Sequence, residues 1–192
     1  MRALWILPLT LLAMPALGFD KASVAQPSAL SGVTSVYVAP AALALPEPSS
    51  RFDRRGDQPR GVTPSDAQAK ADELTAALRR GFDKDFDLAD APGPGVLVVE
   101  PTLVRLESSR PTMADYQREP GLSFESAYAG GAAVRVTLSR DGNEVGQIED
   151  RYTGNFGDGT PRIGIWQDAD RAFSMWSRQL PAFVEQPATA RR

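Results

Sequence analysis

Residues 93–152 hold the longest β-type patterning in the chain, and that stretch limits what the protein can fold into. Val134, Val136 and Leu138 fall on one side of an extended segment, and Arg135 and Thr137 fall on the other. Asp141-Gly142 follows, a pair suited to a two-residue hairpin turn. A hairpin is therefore expected from 132–138 and 145–152. Upstream, Val96-Leu97-Val98-Val99 is apolar on both faces, the mark of an interior strand, and the run continues to Leu106. Pro101 cannot donate to a ladder, so it belongs at a bulge or where one edge of the strand is free. The Gly130-Gly131 pair reads as a close backbone approach, because phosphate-cradling glycines lead into a helix and these lead into a strand.

Two helical stripes need a sheet to cover. Thr63-Pro64-Ser65-Asp66 opens the first, with Thr63 as cap, Pro64 at the first helical position and Asp66 near the positive dipole end. Ala67, Ala71, Leu74, Leu78 and Phe82 then recur at helical spacing, and Gly81 weakens the last turn. Trp166, Ala169, Phe173, Trp176, Leu180 and Phe183 form the second stripe, which reads as core, with Pro181 expected to kink or shorten its end. Residues 33–39 alternate as a first strand that stops at Pro40. The expected fold is α+β: a mainly antiparallel sheet of about four or five strands, with the two amphipathic helices packed on one face. The first helix could cross between two parallel strands, 34–39 and 96–106. The outer face, with Arg135, Thr137 and Gln147, is expected to be wet.

The ends carry other signals. Residues 1–18 read as a signal peptide: Arg2 is the positive start, and residues 4–12 form an apolar run broken by Pro8 and Thr10. Ala16-Leu17-Gly18 then places small residues where leader peptidase needs them. That run is short of the roughly 20 residues a membrane-spanning helix requires. Residues 19–32 are small and polar and are expected to be a flexible lead-in, 33–184 a single domain, and 185–192 a polar tail. The expected location is periplasmic or secreted, after cleavage near Gly18.

Composition excludes several chemistries. The chain has no His and no Cys, which removes the usual neutral-pH base, thiol nucleophiles, disulfides and the commonest zinc and iron ligands. A net charge of −3 leaves no basic footprint for nucleic acid. Asp83, Asp85, Asp87 and Asp90 crowd together without the glycine bend of a calcium loop, and residues 150–160 lack its ligand spacing. The expectation is a non-enzyme with no cofactor and no metal.

Several landmarks together resemble a known family. Val36-Tyr37-Val38-Ala39-Pro40 closes the first strand, and Gly93-Pro94-Gly95-Val96-Leu97-Val98-Val99 enters the central one. Gly130-Gly131-Ala132-Ala133 precedes the hairpin, and a helix with Trp166, Ala172-Phe173 and Trp176 ends the domain. Over residues 33–184 this resembles the DUF3313 group of bacterial envelope proteins, most of which are lipoproteins of unassigned function. The resemblance implies an envelope protein and brings no catalytic residues. The chain departs from the group in lacking the lipid-bearing cysteine, so no covalent anchor at cysteine is expected.

The functional expectation is a non-catalytic exported envelope domain that binds a protein, cell-wall or lipid partner. Residues 107–126 form a long polar excursion in which Tyr116 and Phe124, with Tyr128 just beyond, are candidate partner-binding rings. Packing of these rings back on the core is the simpler reading. Arg54 and Arg55, in the Arg-rich loop 45–61, are further candidates for an anionic partner. One alternative is a carboxylate-based hydrolase of envelope glycans, drawing two acids from Glu100, Glu107, Glu144, Glu149 and Asp150. A carrier with a small-ligand pocket under Tyr116, Phe124 and Tyr128 is another.

Overall fold

A computed structural model of the protein describes residues 18–46, 62–109, 130–154 and 164–185. The expected hairpin is at its centre: β6 (Gly131–Arg140) and β7 (Asn143–Thr153) pair antiparallel along their lengths. Asp141 and Gly142 sit at φ 53° and 78°, the two left-handed positions that match a tight turn to the twist of its strands. The Asp141 carboxylate also accepts the Gly95 N–H at 2.7 Å, which ties the turn to the entry of β5 (Leu97–Glu107).

Among the described residues seven strands form one sheet. The others are β1 (Lys21–Val24), β2 (Ser35–Val38), β3 (Ala42–Leu43) and β4 (Asp87–Leu88), and the order is β1-β7-β6-β5-β2-β4 with β3 also on β5. β1, β7, β6 and β5 are mutually antiparallel, whereas β2 and β3 run parallel to β5 and β4 runs parallel to β2. The α+β class is as expected, but the strand count is higher. The added strands are short: β3 and β4 have two residues each, too few for any period to register. β1 lies inside the segment expected to be a flexible lead-in. Its neighbour Phe19 is only 6% exposed and Val24 only 3%, so that segment is part of the core.

Pro101 shows how β5 serves two partners. β2 pairs with residues 97–99 and β3 with 102–103, so the proline stands at the break between them, where no donor is needed. The register slips between Leu103 and Arg105, which leaves Val104 as a bulge.

One face of the sheet is apolar and covered. Val36, Val38, Leu97, Val99, Leu103, Val134, Val136, Leu138 and Ile148 are buried in a single core with both long helices. The other face carries exposed Glu100 and Arg135, and Glu149 pairs with Lys21 at 3.1 Å and Arg135 at 3.0 Å. The first long helix, α2 (Pro64–Phe82), follows the short α1 (Pro27–Leu30) and starts with a reciprocal cap. Thr63 Oγ1 accepts from the Asp66 N–H at 3.1 Å, and Asp66 Oδ2 accepts from the Thr63 N–H at 3.2 Å.

The last helix, α3 (Gln167–Glu185), packs beside α2 and in the same direction: Lys70 meets Asp170 near both N-termini, and Gly81 meets Ser177 further on. Pro181 does not shorten α3, which continues to Glu185. A proline at 181 has no N–H for the Ser177 carbonyl four residues back. That carbonyl faces Gly81 closely enough that a Cβ there would be 2.0 Å away.

Candidate functional site

The two ends of the sheet are built differently. At the hairpin-turn end the connections are short, and Arg140 closes them by donating to the carbonyls of Gly95 (3.1 Å), Ala29 (2.7 Å) and Ser31 (3.4 Å). The opposite end carries the long connections. There Glu107 ends β5 across from Gly131, and Gly131 lies across from Thr153 at the end of β7. β3 runs parallel to β5 toward this end, and α2 and α3 both begin here. Segments 47–61, 110–129 and 155–163 therefore all leave and rejoin the described residues at one end.

Asp168 organises that end. It lies in the first turn of α3, is 3% exposed, and its Oδ2 accepts the Gly130 N–H at 3.0 Å. Gly154 donates to the Gly130 carbonyl at 2.9 Å, and a Cβ at 154 would lie 2.3 Å from the Asp168 carboxylate. The N–H and the hydroxyl of Ser109 both donate to the Ile165 carbonyl, at 2.8 and 3.3 Å. One carboxylate, placed where the helix dipole favours negative charge, thus braces the stems of both 110–129 and 155–163. The Gly130-Gly131 pair is the close approach its sequence suggests: a Cβ at 131 would meet the Tyr152 carbonyl at 2.3 Å.

Beside Asp168, Lys70 joins the helix starts. Only 7% exposed, it donates to Glu73 Oε2 at 2.6 Å and Asp170 Oδ1 at 2.8 Å, and its Nζ lies 5.7 Å from the Trp166 ring centroid. Burial pushes the ammonium pKa down, but the bonds to Asp170 and Glu73 outweigh it and the net shift is upward. Lys70 is therefore held charged and fully engaged, unlike the depressed, free amine of a nucleophilic lysine.

Asp150 is the second buried carboxylate, 4% exposed on the core side of β7. Its Oδ2 accepts from Trp176 Nε1 at 2.5 Å and its Oδ1 from the Asp20 N–H at 3.0 Å. Burial pushes its pKa above the usual carboxylate value, against the downward pull of those two donors. A carboxyl whose pKa is higher folded than unfolded holds its proton more tightly in the folded state. Its contribution to stability thus falls as pH rises from the unfolded value through the folded one. Replacing Asp150 with Asn removes this titration. Across thermal melts from about pH 4 to 7, the melting temperature of D150N relative to the wild type should climb with pH, on top of a fixed cost for one mismatched amide. A difference that stays flat with pH would refute the raised pKa.

A family model described as a protein of unknown function, DUF3313, matches residues 24–180. The chain is a DUF3313 protein. No curated protein matches it. Solved structures similar to this DUF3313 chain include PelC from Paraburkholderia phytofirmans, described as a dodecamer. It is 14% identical, the match covers 75% of this chain and 86% of that one, and the TM-score is 0.41. Protein XCC0632 from Xanthomonas campestris, assigned to the DUF330 family model, is 13% identical over 81% of this chain and 87% of its own, with a TM-score of 0.46.

The five candidate partner-binding residues of this DUF3313 protein, Tyr116, Phe124, Tyr128, Arg54 and Arg55, lie outside the described residues. So do residues 1–17 of the expected signal peptide and the 186–192 tail. The five acids weighed for hydrolysis are described. Glu149 and Asp150 point to opposite faces of β7, Glu107 pairs with Arg105 at 2.6 Å, and Glu100 and Glu144 are exposed on different strands. Among the described residues no group of three or more acids could hold a metal, and no helix is long and apolar enough to cross a membrane.

Asp168 and Lys70 went unnoticed in the sequence. A carboxylate in the first turn of a helix is ordinarily a solvated charge, and only the neighbouring glycines, Gly130 and Gly154, hinted at crowding. An open groove of about 420 Å³ between α2 and α3 also has no sequence signature; Ala77, Gly81 and Phe173 line it together with exposed Arg80 and Lys84.

Proposed function

We propose that this protein is an exported, non-catalytic domain of the bacterial cell envelope that binds a protein, cell-wall or lipid partner through the segments at the long-connection end of its sheet. The observation that carries this reading is the shared root of segments 47–61, 110–129 and 155–163, braced by the buried Asp168. A rigid scaffold that presents several long connections at one end is a common way to build a binding surface. Those segments contain Arg54, Arg55, Tyr116, Phe124 and Tyr128, the residue types that carry most interface energy. The leader-like residues 1–18 support the envelope setting.

The test is crosslinking in the envelope of the native host, using the chain from Phe19 with a C-terminal tag. One dominant partner is expected, and its capture should fall roughly tenfold when Tyr116, Phe124 and Tyr128 are each changed to Ala, the size of effect aromatic hot spots give. Unchanged capture with a lower melting temperature would mean that the rings belong to the core, and the reading would fall.

A further inference from the structure

Phe19 follows the bond at which a leader ending in Gly18 would be cut, and it is part of the core. Its ring meets Phe183 edge-on at 5.9 Å between centroids, and only 6% of the residue is exposed. The next N–H, on Asp20, is bonded to the buried Asp150, which also holds Trp176. From Lys21 onward β1 is paired with β7. Gly18 adopts φ 73° and packs against the Gln179 side chain, where a Cβ would lie 3.1 Å from Nε2. A peptidase must draw several residues around the cut bond into an extended strand, and buried, paired backbone is cut only after it opens. In the folded domain this opening would have to break the Phe19–Phe183 contact, the Asp20–Asp150 bond and the start of β1.

We propose that Gly18–Phe19 is a processing bond accessible only before the domain folds, so that folding ahead of cleavage leaves the leader attached. This rests on the reading of residues 1–18 as a leader. Beside the cut, the Gln179 side chain lies against Gly18, and its Oε1 is buried with no hydrogen-bond partner among the described residues. Hydrolysis adds water across the Gly18–Phe19 amide. Gly18 leaves as a carboxylate, and the single Phe19 N–H becomes an α-ammonium with three donors.

The experiment uses the full chain, Met1 to Arg192, and purified bacterial leader peptidase in detergent micelles. In one arm, urea-unfolded chain is diluted directly into the peptidase. In the other, the chain first folds in the same micelles, with folding followed by circular dichroism. N-terminal sequencing should find Phe19 at the new end in the first arm, and cleavage in the second should be slower by roughly tenfold or more, as for a site that must open first. Phe183→Ala, which loosens the Phe19 anchor, should restore much of the rate in the folded arm. Equal rates in the two arms would overturn the proposal while leaving the leader intact. No Phe19 end in either arm would remove the leader reading and this inference with it.

Discussion

Trp176→Ala is expected to be the most damaging single substitution in the described residues, at about 4 kcal/mol or more. Trp176 is the largest fully buried side chain among the described residues and lies at the centre of α3. Truncating it leaves a cavity, which typically costs about 3–5 kcal/mol for a buried aromatic. It also takes the Nε1 donor from Asp150, which is 4% exposed and keeps backbone donors including the Asp20 N–H. A buried carboxylate that loses a partner costs about 1–3 kcal/mol more. Denaturant titration should show a loss of this size, and Trp176→Phe, which keeps most of the ring volume but not the donor, should fall between. A near-wild-type Trp176→Phe would show that packing alone matters and that the Asp150 bond contributes nothing, whereas equal losses for the two variants would assign the whole effect to the lost donor.

Gly81→Ala is expected to cost about 3 kcal/mol, although alanine favours a helix more than glycine by about 1 kcal/mol. The reason is the crossing of α2 and α3. A Cβ at 81 would lie 2.0 Å from the Ser177 carbonyl oxygen and 2.8 Å from its carbon. Both are backbone atoms, so relief requires the helices to separate. Thermal melts of G81A should move sharply downward, and a neutral or stabilising outcome would show that α3 shifts freely over α2. Pro181 belongs to the same arrangement. It withholds the donor that the Ser177 carbonyl would otherwise have, and a Gly81 Cα–H can approach that oxygen in its place.

The parts of the fold that sequence made legible are those with long periods or strict turn chemistry. The hairpin could be read because Asp141-Gly142 names its turn and Val134, Val136 and Leu138 alternate over enough residues to fix a face. α2 could be read because its cap and its stripe agree. β1 could not, since Lys21-Ala22-Ser23-Val24 has one strongly apolar residue and its place in the sheet depends on pairing with β7, more than a hundred residues away. β3 and β4 are strands only because a neighbour offers an edge. The candidate site was half legible. Long polar excursions can be seen in a sequence, but that three of them share one root depends on the register of β5, β6 and β7. The burial of Asp168 depends on glycines from two other strands' ends, which no local pattern announces.

The contact between Phe19 and Phe183 also bears on how the chain could be rewired. It brings the first and last described stretches of the domain side by side. A short linker joining those ends, with a new opening between Asp141 and Gly142, would yield a circular permutant that retains every strand pairing. In that chain β6 and β7, now neighbours through a two-residue turn, would become the most distant partners in sequence. The same native contacts would then have a much higher contact order, and folding would slow although its end point need not change.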